Sequence, residues 1–215
     1  MAKRDQQGLS QALAAVDREV SEYLIFRGFI QAHRAFSAET RSDRLHEFQV
    51  DRVVEELLRL LTTYEYTAMM DLWAFLQERF FANLPHTCWA VVHHLELCLQ
   101  RFYLVNAVQS GHPAKVQAFL QHVARSGAGE WEAWFQLPFV KDPGAHPAFR
   151  VYFTKEWASR LVVSIHNLLT TAFHDVPLPA LVSQSLQSRE TAALQAQVVA
   201  LEAKVQLLER GAHAD

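Results

Sequence analysis

The sequence predicts an all-α protein in three parts. They are a helical hairpin over residues 12–40, a multi-helix domain over 50–180 and a short coiled coil over 186–210. Three observations predict this. Apolar residues recur at helical spacing along most of the 215 residues, while no segment alternates with the period of two that a half-buried strand requires. Only 7 Gly and 7 Pro occur, concentrated at a few breaks, which favours long helices. Half of the residues are hydrophobic, enough to build a core and too many for a disordered chain.

The hairpin comes first. Val16, Val20, Tyr23 and Leu24 stand at i, i+4, i+7 and i+8, one stripe on a helix. Gly28 follows where the stripe stops, as suits a residue that ends a helix at positive φ. Phe29, Ala32 and Phe36 restart a stripe at i, i+3 and i+7, with Ala32 small enough for a close helix approach. Two short amphipathic helices have too little core to stand alone, so a second copy, or the rest of the chain, must cover them; the expectation is that the hairpin dimerises.

Residues 41–47 read as a charged link, and Asp51 as the N-cap of a helix with Val50, Val53, Val54, Leu57, Leu58, Leu60 and Leu61 on more than one face. Over 71–81, Leu72, Phe75, Leu76 and Phe80 form the next stripe, with Trp73 beside it, until Asn83-Leu84-Pro85 breaks it. Residues 88–108 predict a long aromatic helix ended by Ser110-Gly111-His112-Pro113. A shorter helix over 114–124 stops at Ser126-Gly127-Ala128-Gly129. From Trp131 to Pro147 the repeated Pro predicts an extended, turn-rich connection pinned by aromatics. Trp131 and Trp134 read as core residues or, if exposed, as partner anchors. Thr154 caps a helix over 155–173, which Pro177 and Pro179 end.

Beyond residue 186, Leu194, Val198, Leu201, Val205 and Leu208 step by 4, 3, 4 and 3. Val falls at a and Leu at d, the choice that favours a two-stranded parallel coil. On this register Lys204 at g faces Glu209 at the following e of the other chain. Two heptads associate weakly alone, but joined to a dimerising hairpin the second contact becomes effectively intramolecular.

Chemistry is sparse. A formal charge of −3, without a Lys/Arg run, gives no footprint for nucleic acid. Cys88 and Cys98 make no disulfide framework and point to a reducing compartment. The polar N-terminus lacks a signal-peptide core, and the apolar run over 161–173 is too short to span a bilayer, so membrane contact is expected to be peripheral. His94 and Cys98 share a helix face, with His93 and Cys88 nearby, but paired metal-ligand spacing is missing. Ser164 and His166, two apart on a helix, face different ways. No nucleophile elbow, Walker loop or dinucleotide fingerprint occurs. An enzyme is not expected, nor any cofactor or metal.

Residues 20–39, with the aromatic after glycine and the closing Glu39, resemble a LisH (Lis1 homology) motif, which implies a dimer of helical hairpins. The hairpin residues expected to self-associate are Val20, Tyr23, Leu24, Gly28, Phe29 and Phe36, and the heptad seam adds Leu194, Val198, Leu201, Val205 and Leu208 in the coil. Longer phrases point to one family. They are Glu22-Tyr-Leu-Ile-Phe-Arg-Gly-Phe29, Val50-Asp-Arg-Val-Val54, Arg101-Phe-Tyr-Leu-Val105 and Glu130-Trp-Glu-Ala-Trp-Phe-Gln-Leu-Pro-Phe139. His146-Pro-Ala-Phe149, Tyr152-Phe-Thr-Lys-Glu-Trp157, Val163-Ser-Ile-His-Asn-Leu168 and Val176-Pro-Leu-Pro179 follow. In this order, before a coiled coil, they resemble the N-terminal region of the WD repeat-containing protein 91 family. A more distant likeness is to armadillo repeat-containing protein 9, a ciliary base protein.

The nearer resemblance implies a non-enzymatic adaptor, cytosolic and peripheral on early and late endosomes. Such an adaptor restrains phosphatidylinositol 3-kinase activity and promotes early-to-late endosome conversion. Implied partners are a second copy, a WD-repeat and BEACH-domain protein, the beclin-containing kinase complex and a late-endosomal Rab GTPase. No WD-repeat signature occurs in these 215 residues, so what resides in a propeller, Rab binding included, is not carried over. Two other readings stand beside this one: a centrosomal or ciliary LisH scaffold, and a subunit of a LisH-containing ubiquitin ligase.

Overall fold

In the computed structural model, residues 2–43, 49–126, 129–175 and 178–212 are described. The fold is all-α, with no strand among these residues. In chain order the α-helices are α1 (Ala2–Phe26), α2 (Ile30–Ser42), α3 (Val50–Thr62), α4 (Tyr66–Arg79), α5 (Trp89–Gln109), α6 (Pro113–Ser126), α7 (Lys155–Asp175) and α8 (Ala180–Ala212). Short 3₁₀ turns at Phe81–Asn83 and His86–Cys88 link α4 to α5, and a longer 3₁₀ run, Gly129–Phe139, follows α6. The chain divides into two compact units, Phe48–Val176 and Met1–Glu47 with Pro177–Asp215.

Within the unit Phe48–Val176, α5 is the central element. It packs against α3, α6 and α7, and buries Val92, Leu95, Leu99, Tyr103, Leu104 and Val105. A helix apolar around its circumference must lie inside. α3 contributes Val54, Leu57, Leu60 and Leu61, and α7 a stripe of Leu161, Ile165, Leu168, Leu169 and Ala172. These are spaced i, i+4, i+7, i+8 and i+11, one face of a helix.

Local chemistry sets the helix ends. After α5, the Gly111 N–H bonds to the Val108 carbonyl and the His112 N–H to the Ala107 carbonyl, with Gly111 at φ +69°. That is a Schellman ending with glycine at the left-handed position. α3 ends with the same pair of bonds, Tyr64 N–H to Leu61 and Glu65 N–H to Leu60, but the left-handed residue is Tyr64, at φ +59°. A side chain there costs ~1–2 kcal/mol. Tyr64 offsets this with its hydroxyl, which donates to Asn106 Oδ1 at 2.8 Å, and with its ring, 4.3 Å from His112 and 6.1 Å from Tyr103. Its carbonyl accepts from Lys115 Nζ at 3.2 Å.

The connection after α6 departs from the extended chain expected of it. Gly129–Phe139 is 3₁₀-helical and places Trp131, Trp134 and Leu137 on one buried face. Three residues per turn, with side chains eclipsed at i and i+3, require that spacing. Trp131 and Trp134 are only 5% and 4% exposed, so they are core residues rather than anchors for a partner. The Arg101 guanidinium sits 5.7–5.8 Å from the rings of Trp131, Trp134 and Tyr152, and reaches Glu130 Oε2 at 3.4 Å. Phe149 packs 5.3 Å from Trp134, so the irregular segment is held by aromatic contacts and one cation.

Smaller expectations are corrected. Asp51 lies in the first turn of α3 instead of capping it, and Gln49 is the N-cap. The buried face of α4 runs through Met69, Trp73 and Leu76, leaving Phe75 exposed, because Trp73 with its larger apolar area takes the inside. α2 extends through Arg41 and Ser42, and the remainder of the expected charged link, 44–47, lies outside the described residues. So do Gly127, Ala128 and Pro177, expected as helix stops. Thr154 does cap α7, its Oγ1 accepting from the Trp157 N–H at 3.3 Å.

In the second unit, α1 packs against α2 and α8. Ala12, Val16 and Val182 form its buried core, flanked by Leu9, Leu13, Val20 and Leu186. Gln11 Oε1 accepts a hydrogen bond from Arg189, while the Ala12 and Val16 side meets Val182, so α1 and α8 run antiparallel.

Candidate self-association surface

The hairpin turn is built by Gly28. At φ +73° its N–H bonds to the Ile25 carbonyl, and the Phe29 N–H reaches the Leu24 carbonyl at 2.8 Å. The Schellman geometry brings Phe29 over the last turn of α1. Arg27 donates to the Tyr23 hydroxyl at 2.7 Å and its guanidinium lies 5.0 Å from the Phe29 ring. The tip is therefore ordered by its own contacts and still apolar outside. Tyr23, Ile25, Phe26, Phe29 and Ile30 are exposed, Phe26 to 86%.

The predicted residues are distributed unevenly. Tyr23 and Phe29 are exposed, whereas Leu24, Phe36 and Val20 are half-buried. Ala32 is exposed, and α2 has no buried residue. Val16 is covered by α8 of the same chain, so the rest of the chain supplies the cover for this part of the α1 stripe. The pattern did not single out Ile25, Phe26 and Ile30. Four consecutive large apolar residues, 23–26, were the available signal, because one helical stripe cannot hold four in a row.

α8 uses two faces in succession. Val182 and Leu186 turn toward α1, and Leu194, eight residues beyond Leu186, is rotated by about 80° at 100° per residue. From there Leu194, Val198, Leu201 and Val205 are each more than half exposed, with Val199 beside them. The side chains of Leu208 and Glu209, predicted at d and e, lie outside the described residues.

The polar candidates belong to the unit Phe48–Val176. His94 Nε2 stands 3.5 Å from Cys98 Sγ, and burial pushes the Cys98 thiol up, with Arg101 partly opposing. A thiol held protonated is a poor nucleophile and metal ligand. His166 Nε2 pairs with Asp51 Oδ1 at 3.2 Å and its Nδ1 lies by the Thr170 hydroxyl. Among the described residues no group of three His, Cys, Asp or Glu could hold a metal ion, and no helix is long and apolar enough to cross a membrane.

Residues 50–175, the α3–α7 bundle, match the family model described as "Armc9, CTLH-like domain". The chain belongs to that family. This Armc9-type CTLH-like chain is also homologous to WD repeat-containing protein 91 over most of its length. It is 33% identical to the Bos taurus protein over 207 residues, covering 95% of this chain and 28% of that protein. To the Gallus gallus protein it is 35% identical over 189 residues, covering 87% and 25%. A Dictyostelium discoideum homolog is 28% identical, covering 88% and 29%. The chain thus spans little more than a quarter of these relatives' length. No solved structure matches it. WD-repeat proteins and CTLH-like domains are adaptor-type families rather than enzyme families.

Proposed function

We propose that this CTLH-like chain is a non-enzymatic dimeric adaptor of endosomal trafficking. It acts peripherally on early and late endosomes to restrain phosphatidylinositol 3-kinase activity and so to promote early-to-late conversion. Its partners in this reading are a second copy, a WD-repeat and BEACH-domain protein and the beclin-containing kinase complex. The observation that carries the dimer is the run of exposed apolar residues from Leu194 to Val205, in coiled-coil register on a continuous helix. The endosomal role is supported by the homology to WD repeat-containing protein 91. Removing the chain from cells should raise phosphatidylinositol 3-phosphate on early endosomes and delay their conversion. Unchanged lipid levels and conversion times in cells lacking the chain would overturn this reading.

A second reading, a scaffold at the centrosome or ciliary base, draws on the Armc9 description of the matched domain. Imaging a tagged chain separates the two. Endosome markers should coincide with it under the first reading, basal-body markers under the second.

A further inference from the structure

The heptad seam of α8 does not stop where its apolar residues begin. Counted back from Leu194 in steps of 3, 4 and 3, it reaches Thr191, Gln187 and Gln184, all exposed on the same continuous helix. At about 100° per residue these three stand roughly 140–180° around α8 from Val182, whose side meets α1. The face opposite them is closed by the chain itself, and theirs is open. Ser188 and Ala192 beside them are short and leave a shallow hollow of about 450 Å³, bordered by Gln184, Gln187, Thr191 and Gln195, where a second helix can approach. The Thr191 hydroxyl donates to the Gln187 carbonyl of its own helix at 2.8 Å, so it can be enclosed without an orphaned donor. The polar half lengthens the seam by ~15 Å, and the apolar half alone is too short to associate firmly.

We propose that Gln184, Gln187 and Thr191 are the positions that hold two copies of this chain parallel and in register. This rests on the self-association proposed above and names the residues that select one dimer among several. In a parallel pair without slippage each seam position meets itself. The Gln amides pair across the seam, Nε2 of each copy donating to Oε1 of the other, and Leu and Val meet their own kind below. Other alignments break this match. An antiparallel pair over the full seam sets Gln184, Gln187 and Thr191 against Leu208, Val205 and Leu201. A parallel pair slipped by one heptad sets Gln187 on Leu194 and Thr191 on Val198. Both enclose an amide against hydrocarbon with no partner for its hydrogen bonds. A seam apolar throughout tolerates all of these pairings, whereas polar residues at seam positions exclude the wrong ones at a cost in affinity.

The test uses the full chain carrying Val205→Cys. Two copies can form a disulfide there only when parallel and unslipped, because every other pairing holds the two thiols at least ~10 Å apart. The parent in the same glutathione buffer gives the baseline from Cys88 and Cys98. The Val205→Cys chain should become mostly cross-linked. Adding Gln184→Leu, Gln187→Leu and Thr191→Val should tighten association about tenfold in sedimentation and yet lower the cross-linked fraction about threefold. Returning glutamine to position 187 alone should restore that fraction. All three positions are exposed, so folding is retained. A reduced Val205→Cys chain that sediments as a dimer but does not cross-link when oxidised overturns the inference and leaves self-association standing. A monomeric parent overturns both. The inference also fails if the apolar-seam variant cross-links as fully as the native seam, or associates no more tightly than it.

Discussion

Tyr64 sets two energies of opposite sign against each other, and the structure says which is larger. Replacing it with glycine removes the ~1–2 kcal/mol cost of a side chain in the left-handed region, though glycine loses ~0.5–1 kcal/mol of that in chain entropy. The gain is therefore at most about 1.5 kcal/mol. Against it stands the 2.8 Å hydroxyl bond to Asn106, a loss of ~1–3 kcal/mol once a part-buried amide oxygen is left unpaired. The ring contacts to His112 and Tyr103 and the half-burial of the ring contribute a further ~1–2 kcal/mol. Tyr64→Gly should thus destabilise by ~2–3 kcal/mol, and Tyr64→Phe, which keeps ring and strain but drops the hydroxyl bond, by ~1 kcal/mol. All five tryptophans lie in the unit Phe48–Val176, so urea unfolding followed by their fluorescence reports that unit alone. At ~2 kcal/mol per molar urea, the glycine variant's midpoint should fall by about 1 M. A glycine variant as stable as the parent, or more so, would mean that backbone strain outweighs the contacts.

Other outcomes follow from the same contacts. Arg101→Leu removes the cation from between Trp131, Trp134 and Tyr152 and should cost ~1–3 kcal/mol with a red-shifted tryptophan emission; an unchanged spectrum would contradict the clamp. Gly28→Val forces a β-branched residue to positive φ and should lower hairpin stability by ~2 kcal/mol, read as faster amide exchange in α2. Burial, with Glu96 and then Tyr103 adding to it, holds the Tyr66 hydroxyl neutral and pushes it up to about 12. The folded state therefore retains a proton that the unfolded chain releases near pH 10, so stability should fall between pH 10 and 12. Tyr66→Phe should flatten that slope in urea titrations.

Much of the fold is legible in the spacing of apolar residues. The stripes of α3 and α7 sit where their 3.6-residue period places them, and both glycine endings follow from where the stripes stop. What spacing does not encode is which surface covers a stripe. Val16 repeats with Val20 and Leu24, yet the α8 residues that cover it are more than 160 positions away, and nothing local relates Val16 to Val182. The tryptophan segment failed differently. Its prolines suggested extended backbone, while Trp131, Trp134 and Leu137 at intervals of three already marked a 3₁₀ face. Tyr64 hid a glycine-type ending, because its tolerance depends on Asn106 and Lys115, both distant in sequence.

Sedimentation equilibrium of the chain at micromolar concentration, alone and as the Leu201→Asp variant, tests the self-associating adaptor most directly. The account predicts twice the 24.6 kDa chain mass for the parent and a shift toward 24.6 kDa for the variant, since two facing carboxylates replace a leucine pair at d. A parent chain that sediments at 24.6 kDa, or a variant that stays dimeric, would contradict it.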